Sequence, residues 1–227
     1  MSGEMLRLRA ARESDLGGVA EVFHAGFPES VAHIYGEGRR PPAELTASLF
    51  RVCLRSEPEA FLVVVDEAAG GRVAGYIFAP AALSRVWKVA LLRGYVLRWA
   101  WGWLSGRYGL GWRPVQLALH NKLAFVRNAA TDRLKVDARI LSIAVHPDYQ
   151  GKGLARRLCE PALARLDRLG VQVVRLEVRP WNAPAVHLYT SLGFRRVGAM
   201  VDSQGEWWVM LRRSSQRIEL GERGEPT

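Results

Sequence analysis

A strand that runs straight into a glycine-bearing turn opening a helix constrains this chain more than any other feature. The stretch is Ile140-Leu-Ser-Ile-Ala-Val-His-Pro-Asp-Tyr-Gln-Gly-Lys-Gly-Leu-Ala155. Its first half is apolar, Pro147 stops the strand, and Gly151 and Gly153 let the backbone turn sharply and approach a ligand. A helix entered this way points its first, unpaired amides and the positive end of its dipole at whatever sits there. That is an anion site suited to phosphate or pyrophosphate. Lys152, Arg156 and Arg157 add cations nearby. No Gly-Lys-Ser/Thr follows at P-loop spacing and no Gly-x-Gly-x-x-Gly occurs here, so the nucleotide-fold alternatives fit poorly.

Strands and helices alternate around this stretch, which makes the chain an α/β sheet protein. Met5 to Arg9 alternates as a short strand, and Ser14 caps an apolar periodic run through Leu16, Val19, Val22 and Phe23. A second helix follows Pro41-Pro42 through Leu45, Leu49 and Val52. Phe61 to Asp66 and Arg72 to Ala79 read as a hairpin around Gly70-Gly71. Ala138 to His146 is a strand, and a helix runs from about Gly153 to Leu169 with Gly170 as its stop. Val171 to Val178 is a strand, Asn182 caps a short helix closed by Gly193, and Phe194–Met200 with Glu206–Leu211 makes a last hairpin.

Charge sets one segment apart. The chain carries a formal +10, and between Leu83 and Asp137 ten Lys and Arg face only Asp132 and Asp137, a net of +8. The same segment holds five of the eight tryptophans: Trp87, Trp99, Trp101, Trp103 and Trp112. Leu83 to Leu104 can be written as one helix, but Arg85, Lys88, Arg93 and Arg98 interrupt it too often for a bilayer span. Cys53 and Cys159 are too few for a disulfide framework, and charges at Glu4, Arg7 and Arg9 argue against a secretory leader. A cytoplasmic setting is therefore expected, with attachment at a membrane surface as an option the basic segment leaves open.

Gln-x-x-Gly-x-Ala at 150–155, preceded by Val145-His-Pro-Asp-Tyr, resembles the acyl-CoA-binding signature of the GCN5-related N-acetyltransferases (GNAT). The likeness continues through Leu176-Glu-Val-Arg179, Asn182 and Leu188-Tyr-Thr-Ser-Leu-Gly-Phe194, strongly over about 138–200. Within the superfamily it is most similar to the bacterial ribosomal-protein-alanine N-acetyltransferases. The resemblance implies a mixed, mostly antiparallel twisted sheet of about seven strands with a central V-shaped splay and flanking helices. It implies one domain over 1–213, from whose pattern this chain departs by an insertion at about 80–137 where the family has a short turn, and 214–227 reads as a polar tail. It also implies acetyl-CoA as acyl donor, and no metal. Pantetheine would lie along Ile143, Ala144 and Val145, and the pyrophosphate on the amides of the loop Gln150, Gly151, Lys152, Gly153, Leu154 and Ala155. Asn182 would reach the cofactor's amide arm. Glu177 matches the family's general base, and Tyr189, whose hydroxyl would face the thioester sulfur, its general acid.

Blander roles exist for the same side chains. Glu177 can be a surface charge opposite Leu176 and Val178, Tyr189 a core aromatic, Asn182 only a cap, and His146 and His187 ordinary polar residues. Trp181 stands where a small or polar residue is expected. The insertion suits a lid over the acceptor end of the site, a contact with a second copy of the chain, an anionic membrane surface, or a ribosome or RNA contact through 83–135. The expected activity is acetyl transfer to a primary amine (a protein N-terminus, a lysine or a small amine) by direct attack. The alternative is a non-catalytic acyl-CoA-binding module that docks through the insertion.

Overall fold

The computed structural model describes residues 5–39, 41–109, 111, 116 and 136–214. Its elements are β1 (Leu6–Ala10), α1 (Leu16–Gly26), α2 (Pro28–Tyr35), α3 (Ala43–Ser56), β2 (Phe61–Asp66), β3 (Arg72–Phe78), α4 (Leu83–Leu92) and α5 (Tyr95–Leu104). After the insertion come β4 (Ser142–Val145), α6 (Leu154–Arg168), β5 (Val173–Val178), α7 (Ala183–Ser191), β6 (Arg195–Asp202) and β7 (Gly205–Arg213). The strands form a four-stranded sheet in the order β1-β2-β3-β4 and a three-stranded sheet in the order β5-β7-β6, every ladder antiparallel.

Strand β2, Phe-Leu-Val-Val-Val-Asp, is apolar at nearly every position because both of its faces are covered. Phe61, Val63 and Val65 face Leu16, Val19 and Val22 of α1 and Phe50 and Leu54 of α3. Val64, with Ala74 and Ile77 of β3, packs instead on Leu158, Leu163 and Leu166 of α6. The sheet is thus the middle layer of three, with one apolar stripe per helix turned inward.

Among the described residues one backbone bridge joins the two sheets. Arg139 and Arg175 form a parallel bridge, with Ile140 N donating to Arg175 O at 2.9 Å and Arg175 N to Ala138 O at 3.0 Å. Beyond it β4 follows β3 and β5 follows β7, so the two branches separate. This is the expected splay, and it explains why the strand expected over Ala138 to His146 is regular only over Ser142–Val145: its first residues are engaged by β5 as well as by the end of β3.

Other local expectations are corrected by longer-range contacts. Leu83 to Leu104 is two helices, not one, broken at Arg93-Gly94 where Gly94 takes the left-handed φ of 69°. The break lets Ala90 and Tyr95 both pack on Val52 of α3. The ends of the insertion are tied together: Ser84 N and Oγ donate to the Asp137 carboxylate at 3.1 and 2.7 Å, and Arg139 N to Pro80 O at 3.1 Å. Strand β5 starts at Val173 rather than Val171, and β7 runs on through Arg213; most of the expected polar tail lies outside the described residues. Ser14 makes no cap. It sits in a 3-10 turn before α1, where the Asp15 carboxylate accepts the Arg12 amide at 2.7 Å and both arms of the Arg9 guanidinium at 2.6 and 2.8 Å.

Asp15 is buried, and burial by itself raises its carboxyl pKa; the Arg9 and Arg12 hydrogen bonds outweigh that and leave it below the ordinary aspartate value. A depressed folded-state pKa contributes stability above the unfolded pKa of about 4, and that contribution is lost as pH falls through the folded value. Asp15→Asn is therefore expected to cost about 2–4 kcal/mol at neutral pH, with the gap from wild type narrowing below about pH 4. Urea unfolding of both proteins across that range measures it.

Candidate active site

The turn after β4 is held from beneath. Pro147–Tyr149 forms a 3-10 turn in which His146 Nδ1 accepts the Asp148 amide at 3.3 Å, so His146 is a strand-end cap. Tyr149 is buried, and its hydroxyl donates to Asp66 Oδ2 at 3.0 Å while Asp66 also accepts the Ala68 and Ala69 amides of the β2–β3 turn. Gln150 Nε2 donates to Val145 O at 3.2 Å and ties the turn to the strand it leaves. Lys152 Nζ lies 5.2 Å from the centre of the Tyr149 ring.

Gly151 and Gly153 take φ of 76° and 73°, a left-handed conformation that a side chain would strain. Gly153 is the N-cap of α6, and the first amide returning to it is that of Arg157, at 3.1 Å. Among the described residues the amides of Gly151, Gly153, Leu154, Ala155 and Arg156 meet no protein acceptor. The cradle expected from the sequence is therefore present as a row of donors at the positive end of a fifteen-residue helix. Two of the expected cations are elsewhere. Arg156 donates to Ser191 Oγ at the end of α7 and Arg157 to Leu6 O of β1 at 2.9 Å, so both brace α6 instead of flanking the cradle.

Strand β4 presents the open edge of the splay. In the antiparallel register with β3, Ala144 lies opposite Tyr76 and His146 N donates to Ala74 O at 2.9 Å. By alternation the backbone groups of Ala144 turn toward β3, and those of Ile143 and Val145 toward the gap. Of the three residues expected to pair with pantetheine, Ile143 and Val145 turn their backbone groups to the gap and Ala144 does not. The Ala144 side chain is buried in the α1–α3 layer, while Ile143 and Val145 pack toward α6.

Glu177 stands on β5 two residues beyond the bridge at which the branches part. Its Oε1 accepts Arg175 Nε at 2.6 Å and lies 3.7 Å from Arg139 Nη1, a contact that spans the fork. Both contacts fall on one oxygen, and the side chain keeps 23% exposure. Arg175, on the same face, is buried, so this is a built ion cluster and not a solvated strand face. Tyr189, on α7, is buried with its ring edge-on to Phe194 at 6.0 Å. Burial, with Cys159 close by, pushes its hydroxyl well above the ordinary tyrosine range. Asn182 Oδ1 accepts the Ala185 amide at 3.2 Å and caps α7, which leaves its amide nitrogen as the donor.

Two further features were missed in the sequence. Helix α2 begins at Pro28, and His33 Nε2 meets Ser203 Oγ of the β6–β7 turn at 2.9 Å beside an open hollow lined by Glu29, Ala32, His33 and Glu37. Proline at the first helical position was the available signal. The second is a cluster around Arg179, whose guanidinium pairs with both oxygens of Asp202 at 3.1 Å and stacks 3.7 Å from Trp207 and 5.2 Å from Trp181. Trp181 is thus a partner of Arg179, its ring largely exposed.

The model of the acetyltransferase (GNAT) family matches residues 29–194. The chain belongs to that family. The ribosomal protein bS18-alanine N-acetyltransferase of Escherichia coli K12 is 37% identical over 102 residues, which cover 45% of this chain and 68% of that one. Among solved structures, the ribosomal-protein-S18-alanine N-acetyltransferase of Escherichia coli aligns over 93% of this chain and 95% of its own, with TM-score 0.52 at 19% identity. The yncA protein of Salmonella typhimurium, solved with its cofactor acetyl-CoA, aligns over 98% of both chains with TM-score 0.54, also at 19% identity. These two likenesses are of fold. This acetyltransferase takes its acetyl group from acetyl-CoA and transfers it to an amine. Nothing in the likenesses favours a non-catalytic module.

Burial pushes the thiols of Cys53 and Cys159 up to about 12, leaving roughly one part in ten thousand as thiolate at pH 8. A thiol so protonated is a poor nucleophile, and the Cys53→Ala/Cys159→Ala enzyme is expected to keep its turnover within about twofold, with no burst of acetyl-enzyme in rapid-quench kinetics. Acetyl-CoA at about a hundred times its dissociation constant is expected to add about 2.7 kcal/mol, roughly 5–10 °C of melting temperature for a chain this size. Gly153→Trp, folded but unable to offer the cradle, is expected to show no shift in scanning fluorimetry.

Proposed function

We propose that this enzyme acetylates the α-amino group of a protein N-terminus by direct attack, with Glu177 as proton acceptor and Tyr189 as proton donor. The observation that carries the reading is the Arg139–Glu177–Arg175 cluster, which fixes one carboxylate oxygen at the fork of the splay and leaves Oε2 without a partner among the described residues. The pyrophosphate of the donor would rest on the amides of Gly151 to Ala155, with Gln150 holding that loop in place. Its pantetheine would lie against Ile143 and Val145, with Ala144 as the strand's inward-facing link, and the Asn182 amide would donate to the same arm. Acetyl-CoA supplies the activated carbonyl and a thiolate leaving group.

An α-amine has a pKa of about 8, so a useful fraction is neutral at physiological pH, whereas a lysine amine near 10.4 is almost wholly protonated. Glu177 then takes the proton as the N–C bond forms and the nitrogen becomes acidic. Tyr189, kept protonated by burial, delivers a proton to the departing sulfur. Support for a protein acceptor comes from the 37% identical relative, which acts on a ribosomal protein's alanine, and from Glu29 and Glu37 around the open hollow, which suit a cationic chain end. The contact between His33 and Ser203, which ties α2 to the β6–β7 turn beside that hollow, favours a second reading, a small amine.

Glu177→Gln and Tyr189→Phe are each expected to lower kcat at least tenfold while the acetyl-CoA thermal shift stays as in wild type. Unchanged turnover in either would remove that residue from the chemistry. A panel of peptides with free or blocked N-termini, set beside polyamines and amino sugars, decides the acceptor. Turnover of the small amines alone would overturn the protein N-terminus.

A further inference from the structure

Helices α4 and α5 have an inner stripe, and its purpose is plain: Val86, Val89, Ala90, Tyr95 and Trp99 pack on α3 around Val52, with Trp99 Nε1 donating to Ser48 Oγ at 3.0 Å. Their outer face is apolar as well. Trp87, Leu91, Leu92, Leu97, Trp101 and Leu104 are between 61% and 85% exposed. Trp87 and Leu91 are one turn apart on α4, and Leu97, Trp101 and Leu104 follow helical spacing along α5, so each helix presents a stripe. Arg85, Lys88, Arg93 and Arg98 are exposed among them and form no ion pair with a described residue. From Leu83 to Thr131 the sequence contains no aspartate or glutamate at all.

Exposed apolar surface of this extent marks a contact site, and the charge pattern selects the partner. A second copy meeting this face about a two-fold axis would set cations against cations with no carboxylate between them. RNA would satisfy the arginines and stack on the indoles, but Leu91, Leu92, Leu97 and Leu104 would have nothing apolar to lie against. An anionic bilayer surface answers both halves: leucines and indoles enter the headgroup boundary while Lys and Arg meet lipid phosphates. Neither ten-residue helix is long enough to span, and no described helix is long and apolar enough to cross a membrane.

We propose that the outer face of α4–α5 docks this acetyltransferase on anionic lipid, lying in the interface rather than crossing it. The face belongs to the α1–α3 layer, and the cradle at the start of α6 lies in the other layer, across the sheet. Docking therefore does not occupy the donor site.

The test is sedimentation of the full chain with phosphatidylcholine–phosphatidylglycerol vesicles and with pure phosphatidylcholine vesicles, at low and high salt. The wild type is expected to partition at least tenfold better onto the anionic vesicles, less so at high salt. Leu97→Glu/Trp101→Glu is expected to lose this binding while keeping its acetyl-CoA thermal shift and its turnover of soluble acceptors. Arg93→Gln/Arg98→Gln, which leaves the apolar stripe intact, is expected to weaken anionic-vesicle binding about tenfold or more. Folded wild type that stays in the supernatant overturns the proposal, as does equal pelleting of the Leu97→Glu/Trp101→Glu variant. A dimer in analytical ultracentrifugation, or an RNA complex, that the same variant abolishes without any vesicle binding assigns the face to that partner instead.

Discussion

Two neighbouring strands that start together and then part create the condition on which the rest of this protein depends. The parallel bridge between Arg139 and Arg175 holds the branches at one end, and past it no strand among the described residues pairs with the free edge of β4. Backbone donors and acceptors left without partners in a protein's interior are costly, so a gap of this kind persists only where something else satisfies them. An extended donor arm able to pair like a strand, as proposed above for acetyl-CoA, would do so, while Gln150 already satisfies Val145 O. The gap also decides which atoms can matter: Ile143 and Val145 face it, and Ala144 faces away.

The surroundings keep the gap open and aim chemistry into it. Helix α6 covers one face of β2 and β3, and α1 with α3 cover the other, so the four-stranded sheet is rigid on both sides. The turn entering α6 rests on Tyr149 and Asp66 and is tied to Val145 through Gln150. With Arg156 and Arg157 bracing α6 against α7 and β1, its amide end has little freedom to drift. At the fork, Arg139 comes from one branch and Arg175 from the other, and Glu177 answers both. A carboxylate in such a cluster is already oriented, which in the proposed role of Glu177 would lower the reorganisation needed in the reaction.

The segment between β3 and β4 is joined at its two ends by Ser84 and Asp137, beside strands that pair directly. Its inner stripe extends the α3 core, and its outer stripe faces solvent. The same ten-residue helices thus carry a packing function on one side and an unspent apolar surface on the other.

Sequence alone determined the features whose cause is local. The glycine turn into α6 was legible because two left-handed glycines and a periodic helix lie within a few residues of each other. The Asn182 cap and the β2–β3 hairpin were legible for the same reason. The roles of Glu177 and Tyr189 were suggested by resemblance, and their spacing said nothing of their surroundings. Tertiary structure decided those: the two arginines on Glu177, the burial of Tyr189, the outward turn of Arg156 and Arg157, and the stacking of Arg179 between Trp181 and Trp207. It also decided that Leu83 to Leu104 breaks at Gly94, since Ala90 and Tyr95 reach Val52 together only if the helix bends back. Caps, turns and periodicity act within one turn of chain, whereas an ion cluster or a packed face is settled by residues far apart in sequence, whose meeting only the folded chain specifies.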